Sequence, residues 1–400
     1  MSRPYDLILH GASGFTGRQT VAYVSHHAPP NLRWAVSGRN LDKLNDVVQK
    51  WAPGRDIPCI KADGLEHDDM SRLAQSTRVV LTTAGPYSKF GRHLVDQCIN
   101  HKTHYVDITG ETAFVADLIS KHHKQAVRDG TVIVPFCGFD SVPSDSLVFF
   151  ISDHLRKKGL RLGQVVAAFK LKGGFNGGTL ATALETSSND ADSVRMKDVL
   201  LLNPPAALSE VERLESSDLN IPIFNAELGW ITPFVMSPIN TRVVRRSNGL
   251  LSEVNRGYGP GFRYLEGLAV KSRTKASIIN GASRITEASL GTKLGRQMIR
   301  WLGPKPGQGP SVKSMDSGFF KLDMVAEADD GSVHRAVVSS SGDPGNRITV
   351  TALCESAFCL TETASQCGGG ILTPMTAFGQ NLIERLVSRG WIFEMIESRS

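Results

Sequence analysis

The sequence predicts an α/β fold that begins with a doubly wound parallel sheet. A short apolar run, Leu7-Ile8-Leu9-His10, enters a glycine-rich segment at 11–17 and then a helix-like segment at 18–24, which is the order of strand, turn and helix in such a sheet. Short apolar runs keep alternating with helical periodicity up to about residue 158. With 400 residues, of which 41% are hydrophobic, the chain is long enough for a large core and for two domains.

The turn after the first strand predicts a dinucleotide-binding site. Residues without a Cβ atom allow the backbone to approach a pyrophosphate, whose charge is stabilised by the free N–H groups and the positive dipole of the following helix. The spacing G-x-x-G-x-x-G differs from the commoner G-x-G-x-x-G, and a turn that serves packing alone is the alternative. The residues expected to contact the cofactor here are Gly11, Ala12, Ser13, Gly14, Phe15, Thr16 and Gly17.

The end of the second strand, 32–37, indicates which dinucleotide binds. An NAD-specific domain places an acidic residue there, on the ribose 2′-hydroxyl group. This chain offers Ser37, Gly38 and Arg39 instead, and a guanidinium group near a hydroxyl group suits a 2′-phosphate. The sequence therefore predicts NADP(H). The alternative is that Arg39 is only a solvated residue before the next helix, 41–51.

Composition and charge exclude several function classes. The net charge of +6 suits anionic ligands, but no long run of lysine and arginine marks a nucleic-acid face, so we expect no nucleic-acid partner. The six cysteines lack metal-ligand spacing, which predicts no metal site and a reducing, cytoplasmic setting. The first strand begins too early for a signal peptide, and no apolar run reaches the roughly 18 residues of a membrane span.

A glycine–proline turn follows the fourth strand, 79–83. This turn lies at the carboxyl edge of the predicted sheet, where ligands of such folds bind. We therefore expect Ala84, Gly85 and Pro86 to contact the cofactor through the main chain.

The candidate catalytic residues stand at three strand ends: Tyr87 after the fourth strand, Asp107 at the fifth and Asp140 after the sixth. Tyr87 is the candidate acid, because a phenol can donate a proton or a hydrogen bond. Each residue also has a structural alternative. Tyr87 can pack under the next helix, Asp107 can accept backbone N–H bonds, and Asp140 belongs to a segment that caps a helix.

The pattern divides the chain into a nucleotide-binding domain at 1–158, a substrate domain at 159–350 and C-terminal helices at 351–400 that pack on the first domain. Beyond 158 we expect a strand at 164–171, a helix at 179–202, loops or a lid at 203–284, a hairpin of strands at 318–326 and 333–340, a strand at 347–351, a helix at 352–363 and a last helix at 374–389.

The segment 290–302 predicts a basic amphipathic helix. Its apolar residues Leu294, Met298 and Trp301 lie among lysine and arginine residues. Such a helix suits peripheral contact with a membrane surface or docking to an acidic acyl-carrier domain. The alternative is that it packs on its own domain.

Short motifs are distributed along nearly the whole chain. They are G-A-S-G-F-T-G at 11–17, G-R at 38–39, A-G-P-Y at 84–87, Y-V-D-I-T-G-E at 105–111, C-G-F-D-S-V-P-S-D at 137–145, G-G-T at 177–179 and L-T-P at 372–374. In this order and spacing they resemble the saccharopine-dehydrogenase-like oxidoreductases, and most closely the branch of trans-acting enoyl reductases. The resemblance implies an N-terminal Rossmann domain, an α+β domain built on a mixed sheet, and reduction of an activated double bond by NADPH.

The function implied is an NADPH-dependent reductase of a C=C bond conjugated to a carbonyl group. Its substrate is a polyketide-like or lipid-like acyl group, small or carrier-bound, with a polyketide synthase or acyl-carrier protein as the partner. One alternative is a C=N reductase or amino-acid dehydrogenase of the saccharopine-dehydrogenase type. Another is a non-catalytic protein that binds NADP(H) at a lipid surface or in a scaffold. The first domain offers few arginine and lysine residues placed for substrate carboxylates, which argues against an amino-acid substrate.

Overall fold

Two seven-stranded sheets form the framework of the computed structural model, which describes residues 3–174, 176–177, 180, 184, 190–203, 209–305, 307–362 and 368–396. The strands are β1 (Tyr5–His10), β2 (Trp34–Gly38), β3 (Cys59–Lys61), β4 (Thr77–Thr82), β5 (His104–Val106), β6 (Val132–Val134), β7 (Leu162–Lys172), β8 (Ile223–Asn225), β9 (Gly229–Thr232), β10 (Arg263–Val270), β11 (Phe319–Ala328), β12 (Val333–Ser341), β13 (Gly370–Ile371) and β14 (Ile392–Ile396).

The helices alternate with the strands in the first third of the chain and cluster later. They are α1 (Phe15–His27), α2 (Leu41–Trp51), α3 (His67–Ser76), α4 (Tyr87–Phe90), α5 (Arg92–Asn100), α6 (Thr112–Asp129), α7 (Val142–Arg156), α8 (Asp190–Arg195), α9 (Glu210–Glu215), α10 (Ser237–Glu253), α11 (Arg273–Leu290), α12 (Lys293–Leu302), α13 (Val312–Asp316), a π-helix (Pro344–Ile348), α14 (Thr349–Glu362), α15 (Pro374–Phe378) and α16 (Gln380–Ser388).

The first sheet is parallel throughout, in the order β13-β6-β5-β4-β1-β2-β3. In central β1, Leu9 pairs with Val36 of β2 and with Leu81 of β4. Leu7 and Leu9 enter the core on one face of the sheet, and Ile8 enters the core on the other face. Burial on both faces explains the continuous apolar run of β1 and confirms the predicted doubly wound α/β fold.

The second sheet is mixed, in the order β14-β12-β11-β7-β10-β9-β8. β7 pairs with β10 in parallel and with β11 in antiparallel direction. β11 and β12 form the hairpin expected around Asp329-Asp330-Gly331. The α+β architecture that the resemblance implied is confirmed.

Several predicted elements after residue 158 are wrong in detail. The segment 203–284 is not mainly loop: it contains the long buried helix α10 and the strand β10. The strand expected at 347–351 is instead the π-helix and the first turn of α14. The predicted last helix is broken into α15 and α16 at Gly379, whose φ of 50° interrupts helical geometry. Of the helix predicted at 179–202, α8 is described, and Gly178 and Thr179 lie outside the described residues.

The end of the chain contributes to both sheets. α14 packs on α1, β4 and β5. β13 extends the first sheet beside β6, whereas β14 pairs with β12 in the second sheet. Among the described residues, no helix is both long and apolar enough to cross a membrane.

Candidate cofactor and active site

A cleft of about 1450 Å³ follows the carboxyl edge of the first sheet and is closed on its other side by residues after β7 and around α10. Ordinary ligand pockets measure roughly 300–1,000 Å³, so this cleft has room for a dinucleotide and a second ligand. Ten of the predicted cofactor residues line it, namely Gly11, Ser13, Gly14, Phe15, Thr16, Gly38, Arg39, Ala84, Gly85 and Pro86.

The glycine turn forms the centre of the cleft wall because β1 occupies the middle of the sheet. Gly11 has a φ of 85°, in the left-handed region, and a Cβ atom there would lie 2.8 Å from the Ala84 backbone nitrogen. The glycine turn and the turn at Ala84 can therefore lie this close together only because position 11 carries no side chain. At Gly14 the nearest atom to an added Cβ is the Gly11 carbonyl oxygen, 3.4 Å away, and Gly14 itself faces the cleft.

The start of α1 is uncapped and opens into this space. Gly14 at the N-cap provides no side-chain hydrogen bond, and the first turn contains no acidic residue. The backbone N–H groups of Ser13, Phe15 and Thr16 have no hydrogen-bond acceptor among the described residues. A pyrophosphate satisfies such groups, so the residues present fit a bound dinucleotide.

The three remaining predicted cofactor residues lie behind the wall. Gly17 packs against the Gly11 carbonyl oxygen, and Ala12 is fully buried in the core. The Ser37 hydroxyl group pairs with His10 Nδ1 at 3.2 Å. Burial lowers the pKa of His10 to about 4, so this pair is neutral. Ser37 therefore supports the floor of the site rather than facing a 2′-phosphate.

Arg39 stands exposed at the end of β2, on the side of the cleft away from β4 and β5. It has no ion-pair partner among the residues that the structure describes. Asn40 beside it is occupied, since its side chain caps α2 by accepting from the Lys43 N–H group. Arg39 is thus a free cation at the place where a 2′-phosphate is expected.

A segment from the second half of the chain covers the start of α1. In this strap, Gly307–Ser311, Gly309 lies against the Phe15 ring, where a Cβ atom would collide with it. Arg18 donates to the Gly307 carbonyl oxygen at 3.3 Å, and Gly307 lines the cleft. The Gly-Gln-Gly-Pro composition of this strap is the one local signal for it in the sequence, since glycine and proline are typical of a close backbone approach.

The turn after β4 is fixed by Glu111. The Glu111 carboxylate accepts hydrogen bonds from the backbone N–H groups of Tyr87 (2.6 Å) and Ser88 (2.9 Å). The Tyr87 hydroxyl group donates to the Thr82 carbonyl oxygen at 3.3 Å. Burial raises the pKa of Tyr87, so its phenol stays neutral. Tyr87 lines the cleft, but its proton is already engaged with the backbone.

Asp107 is not placed at the cleft surface. It is fully buried and accepts hydrogen bonds from the Tyr105 hydroxyl group (2.7 Å) and from the N–H groups of Thr109 (2.9 Å) and Phe136 (3.3 Å). Burial raises its pKa to about 7. The expected position at the ligand edge is thereby corrected: Asp107 joins β5 to the segment after β6, which is the structural alternative.

Asp140 differs from both. It lines the cleft, partly exposed to it, and makes no hydrogen bond or ion pair with the described residues. Its carboxyl group leans over the end of β5, since a Cβ atom added at Gly110 would lie 3.6 Å from Asp140 Oδ2. Burial raises the pKa of Asp140 to about 7. A carboxyl group that keeps its proton near neutral pH can act as an acid.

The β4–β6 side of the cleft carries many apolar side chains next to the polar residues Ser216, Ser217, Asp218 and Asn220, and much of its lining comes from distant parts of the chain. The apolar side chains here are Ile108, Phe139, Leu171, Met196, Val199, Phe234, Val235, Met236, Ile239 and Leu290. No local motif predicts these residues as a site, because they come from separate elements whose approach depends on the second sheet.

A cation beside this apolar wall is held by an acid that it shares with Arg245. Arg242 on α10 pairs with Asp218 at 2.8 Å and donates to the carbonyl oxygens of Met196 (2.6 Å), Pro238 (2.7 Å) and Asp198 (3.1 Å). It holds the segment 196–218 against α10. Lys197 also lines the cleft but is exposed at its rim. A substrate carboxylate would find no other lysine or arginine on this side among the described residues.

Comparison with known proteins identifies the family. Residues 7–134 match the model of the saccharopine dehydrogenase NADP-binding domain. A Mycobacterium tuberculosis protein, whose name assigns it provisionally as a trans-acting enoyl reductase, is 35% identical over 97% of this chain and 96% of its own length. A Mycobacterium bovis protein named trans-acting enoyl reductase is 32% identical over 97% of each chain. This chain belongs to the saccharopine-dehydrogenase-like oxidoreductases.

The fold agrees with that membership. The apo saccharopine dehydrogenase (L-Glu forming) of Saccharomyces cerevisiae superposes with a TM-score of 0.51, covering 98% of this chain and 100% of the yeast chain at 12% sequence identity. As the family predicts and the cleft permits, the protein is an NADPH-dependent oxidoreductase with NADP(H) as its cofactor.

Proposed function

We propose that the protein reduces a C=C bond conjugated to the carbonyl group of an acyl thioester or enone. The observation that carries this proposal is the apolar wall on the β4–β6 side of the cleft, next to the unpartnered carboxyl group of Asp140. An acyl chain requires burial against apolar side chains, whereas an amino acid requires an ion pair for its carboxylate. The names of the mycobacterial relatives support the same reaction.

When bound, NADPH supplies a hydride, which a conjugated acyl group accepts at the carbon β to its carbonyl. Negative charge then develops towards the carbonyl oxygen, and the α-carbon requires a proton. Asp140 holds that proton below its pKa of about 7 and faces the cleft without another partner. We assign proton delivery to Asp140 rather than to Tyr87, whose hydroxyl group is bonded to Thr82.

The remaining residues of the site bind and position. The N–H groups at the start of α1 and the guanidinium group of Arg39 are assigned to the phosphates, and Glu111 keeps the Tyr87 turn in place. Residues 1–158 are assigned to the nucleotide and residues 159–350 to the substrate. Within the described part of 351–400, α14 and β13 support the first sheet, and β14 joins the second sheet. Substrate arrives on a carrier in trans, from a polyketide synthase or a lipid-forming enzyme, past the rim at Lys197 and Leu290.

The test is reduction of trans-2-enoyl thioesters of increasing chain length with NADPH. We expect loss of the reduced-nicotinamide absorbance, a product that has gained two hydrogen atoms, and a lower KM for longer chains. The matched comparison is an imine formed from an α-keto acid and an amino acid. Oxidation of NADPH by the imine and not by any enoyl thioester would assign the protein to C=N reduction instead.

A further inference from the structure

The helices α11 and α12 form a hairpin that packs on β9 and β10 through α11 and exposes large apolar side chains along both helices. Every described side chain of α12 is at least partly exposed, and Ala276 is the one buried residue of α11. Trp301 is 82% exposed and Leu294 is 78% exposed. An amphipathic helix in a folded protein normally buries its apolar face. The exposed apolar side chains of this hairpin therefore indicate a binding partner outside the described chain.

The exposed apolar residues form stripes. Leu294, Met298 and Trp301 are spaced i, i+4 and i+7 and therefore share one face of α12. Ile278 and Ile285 are two turns apart on α11 and share one face of that helix. The hairpin is anchored near its base, where the Thr232 hydroxyl group donates to the Ala276 carbonyl oxygen at 3.0 Å.

The same segment concentrates the positive charge of the protein. Residues 271–305 contain eight lysine and arginine residues and a single acid, Glu287, which gives a net charge of +7 against +6 for the whole chain. The rest of the chain is therefore close to neutral.

We propose that the α11–α12 hairpin binds an anionic lipid bilayer, with its apolar stripes inserted at the boundary between headgroups and acyl chains. A tryptophan with aliphatic neighbours and flanking cations is typical of helices that lie in this interface. A second copy of the chain is disfavoured because it would bring two +7 segments together. An acidic carrier domain would match the charge, but it would leave the large projecting side chains of two helices uncovered.

The hairpin is continuous with the substrate site. Glu287, Leu290 and Gly291, at the corner between α11 and α12, line the cleft. A bound bilayer would therefore meet the rim beside the apolar wall, the same rim past which the carrier-bound acyl group enters. This consequence for delivery rests on the proposed reduction of an acyl substrate, whereas the bilayer contact does not.

The experiment is sedimentation of the full chain with vesicles of phosphatidylcholine alone and of equimolar phosphatidylcholine and phosphatidylglycerol. The parent should sediment with the mixed vesicles only, and about 1 M salt should weaken binding. Trp301→Ala with Leu294→Ala should abolish it. Lys293→Glu with Arg300→Glu should weaken it by at least about 25-fold, since each neutralised cation accounts for about fivefold. The matched controls are Leu214→Ala and Lys50→Glu with Lys124→Glu, all exposed elsewhere.

The proposal would be overturned if the parent failed to bind anionic vesicles, or if the control variants lost vesicle binding to the same extent as the hairpin variants. So would a concentration-dependent dimer that Trp301→Ala dissolves, or binding to an acidic carrier protein without vesicle binding. All hairpin variants should reduce a short water-soluble enoyl thioester at the parent rate. If that reduction is absent in the parent while vesicle binding is present, the proposed reaction fails and the bilayer contact stands.

Discussion

The guanidinium carbon of Arg39 lies 5.8 Å from the centroid of the Phe90 ring. The ring orients the cation without neutralising it, because an aromatic face supplies no formal charge. Phe90 follows β4 and Arg39 follows β2, so the contact spans the glycine turn that lies between them. An oriented and unpaired guanidinium group is what selective binding of a 2′-phosphate requires.

Arg39→Ala should remove most of the preference for NADPH over NADH. Losing a charge-assisted contact of about 1.5–3 kcal/mol changes the affinity ratio by roughly one to two decades. Titration followed by nicotinamide fluorescence measures both affinities, with Arg55→Ala as an exposed control. A parent protein that binds both cofactors equally would exclude this role.

Gly14→Val and Gly17→Val should fail in different ways. A side chain at Gly14 projects into the cleft, so the variant should stay folded and lose NADPH binding. A side chain at Gly17 would collide with the Gly11 carbonyl oxygen, so that variant should lose about 1–3 kcal/mol of unfolding free energy or more. Circular dichroism and NADPH titration separate the two. Normal affinity in Gly14→Val would mean that the glycines serve packing only.

Asp140→Asn should lower the rate of enoyl reduction by about 10²–10⁴-fold, because the amide cannot deliver a proton. NADPH affinity should change little, since Asp140 is separated from Arg39 by the width of the sheet. Tyr87→Phe is the matched variant and should stay within about threefold of the parent rate. A large loss of reduction rate in Tyr87→Phe, with a small loss in Asp140→Asn, would assign proton delivery to Tyr87 instead.

The pH dependence follows from the raised pKa of Asp140. The carboxyl group is protonated below about pH 7, so kcat should fall by about tenfold for each pH unit above that value. Burying the charged form also costs stability as pH rises from the ordinary aspartate pKa to about 7. Urea unfolding of Asp140→Asn should therefore show a gain over the parent that grows across this range and then levels off. A constant difference would mean that Asp140 does not titrate there.

Glu355→Ala should destabilise the fold by about 3–5 kcal/mol. Glu355 is fully buried and accepts hydrogen bonds from Tyr23 (2.8 Å), Arg385 (2.7 Å) and Arg389 (2.8 Å). Its loss leaves two arginine side chains without that acceptor between α1, α14 and the end of α16. Glu362→Ala, which removes a more exposed partner of Arg385, should cost about 0–1 kcal/mol. Equal effects in urea denaturation would contradict the importance of the buried acid.

Local patterns predicted ten residues that the structure places along the nucleotide half of the cleft, and their role in binding stays a prediction. The glycine turn and Arg39 could be found because strand, turn and helix are adjacent in sequence. Asp107 and Asp140 could not be separated, because both follow strands and differ only in their hydrogen-bond partners. A sequence shows which carboxyl groups follow the strands. Whether each one is hydrogen-bonded or open to the cleft depends on contacts made across the fold.

The errors beyond residue 158 have two physical causes. Helix α10 lacks an apolar pattern because its buried residues include Arg242, Arg245 and Arg246, whose guanidinium groups donate to backbone carbonyl oxygens. The short apolar run around Ile348 fits a strand and a buried helix equally, and in the structure it forms the π-helix and the first turn of α14, with Ile348 and Val350 buried.

The strands β13 and β14 constrain how the molecule can be made. β13 completes the first sheet beside β6, and β14 completes the second beside β12, although both come from the last part of the chain. A ribosome that has released only the first third of the chain has released a sheet whose strand β6 still has an open edge. Such an edge invites pairing with other chains. The edge of β6 is therefore paired only after residues 370–371 have left the ribosome.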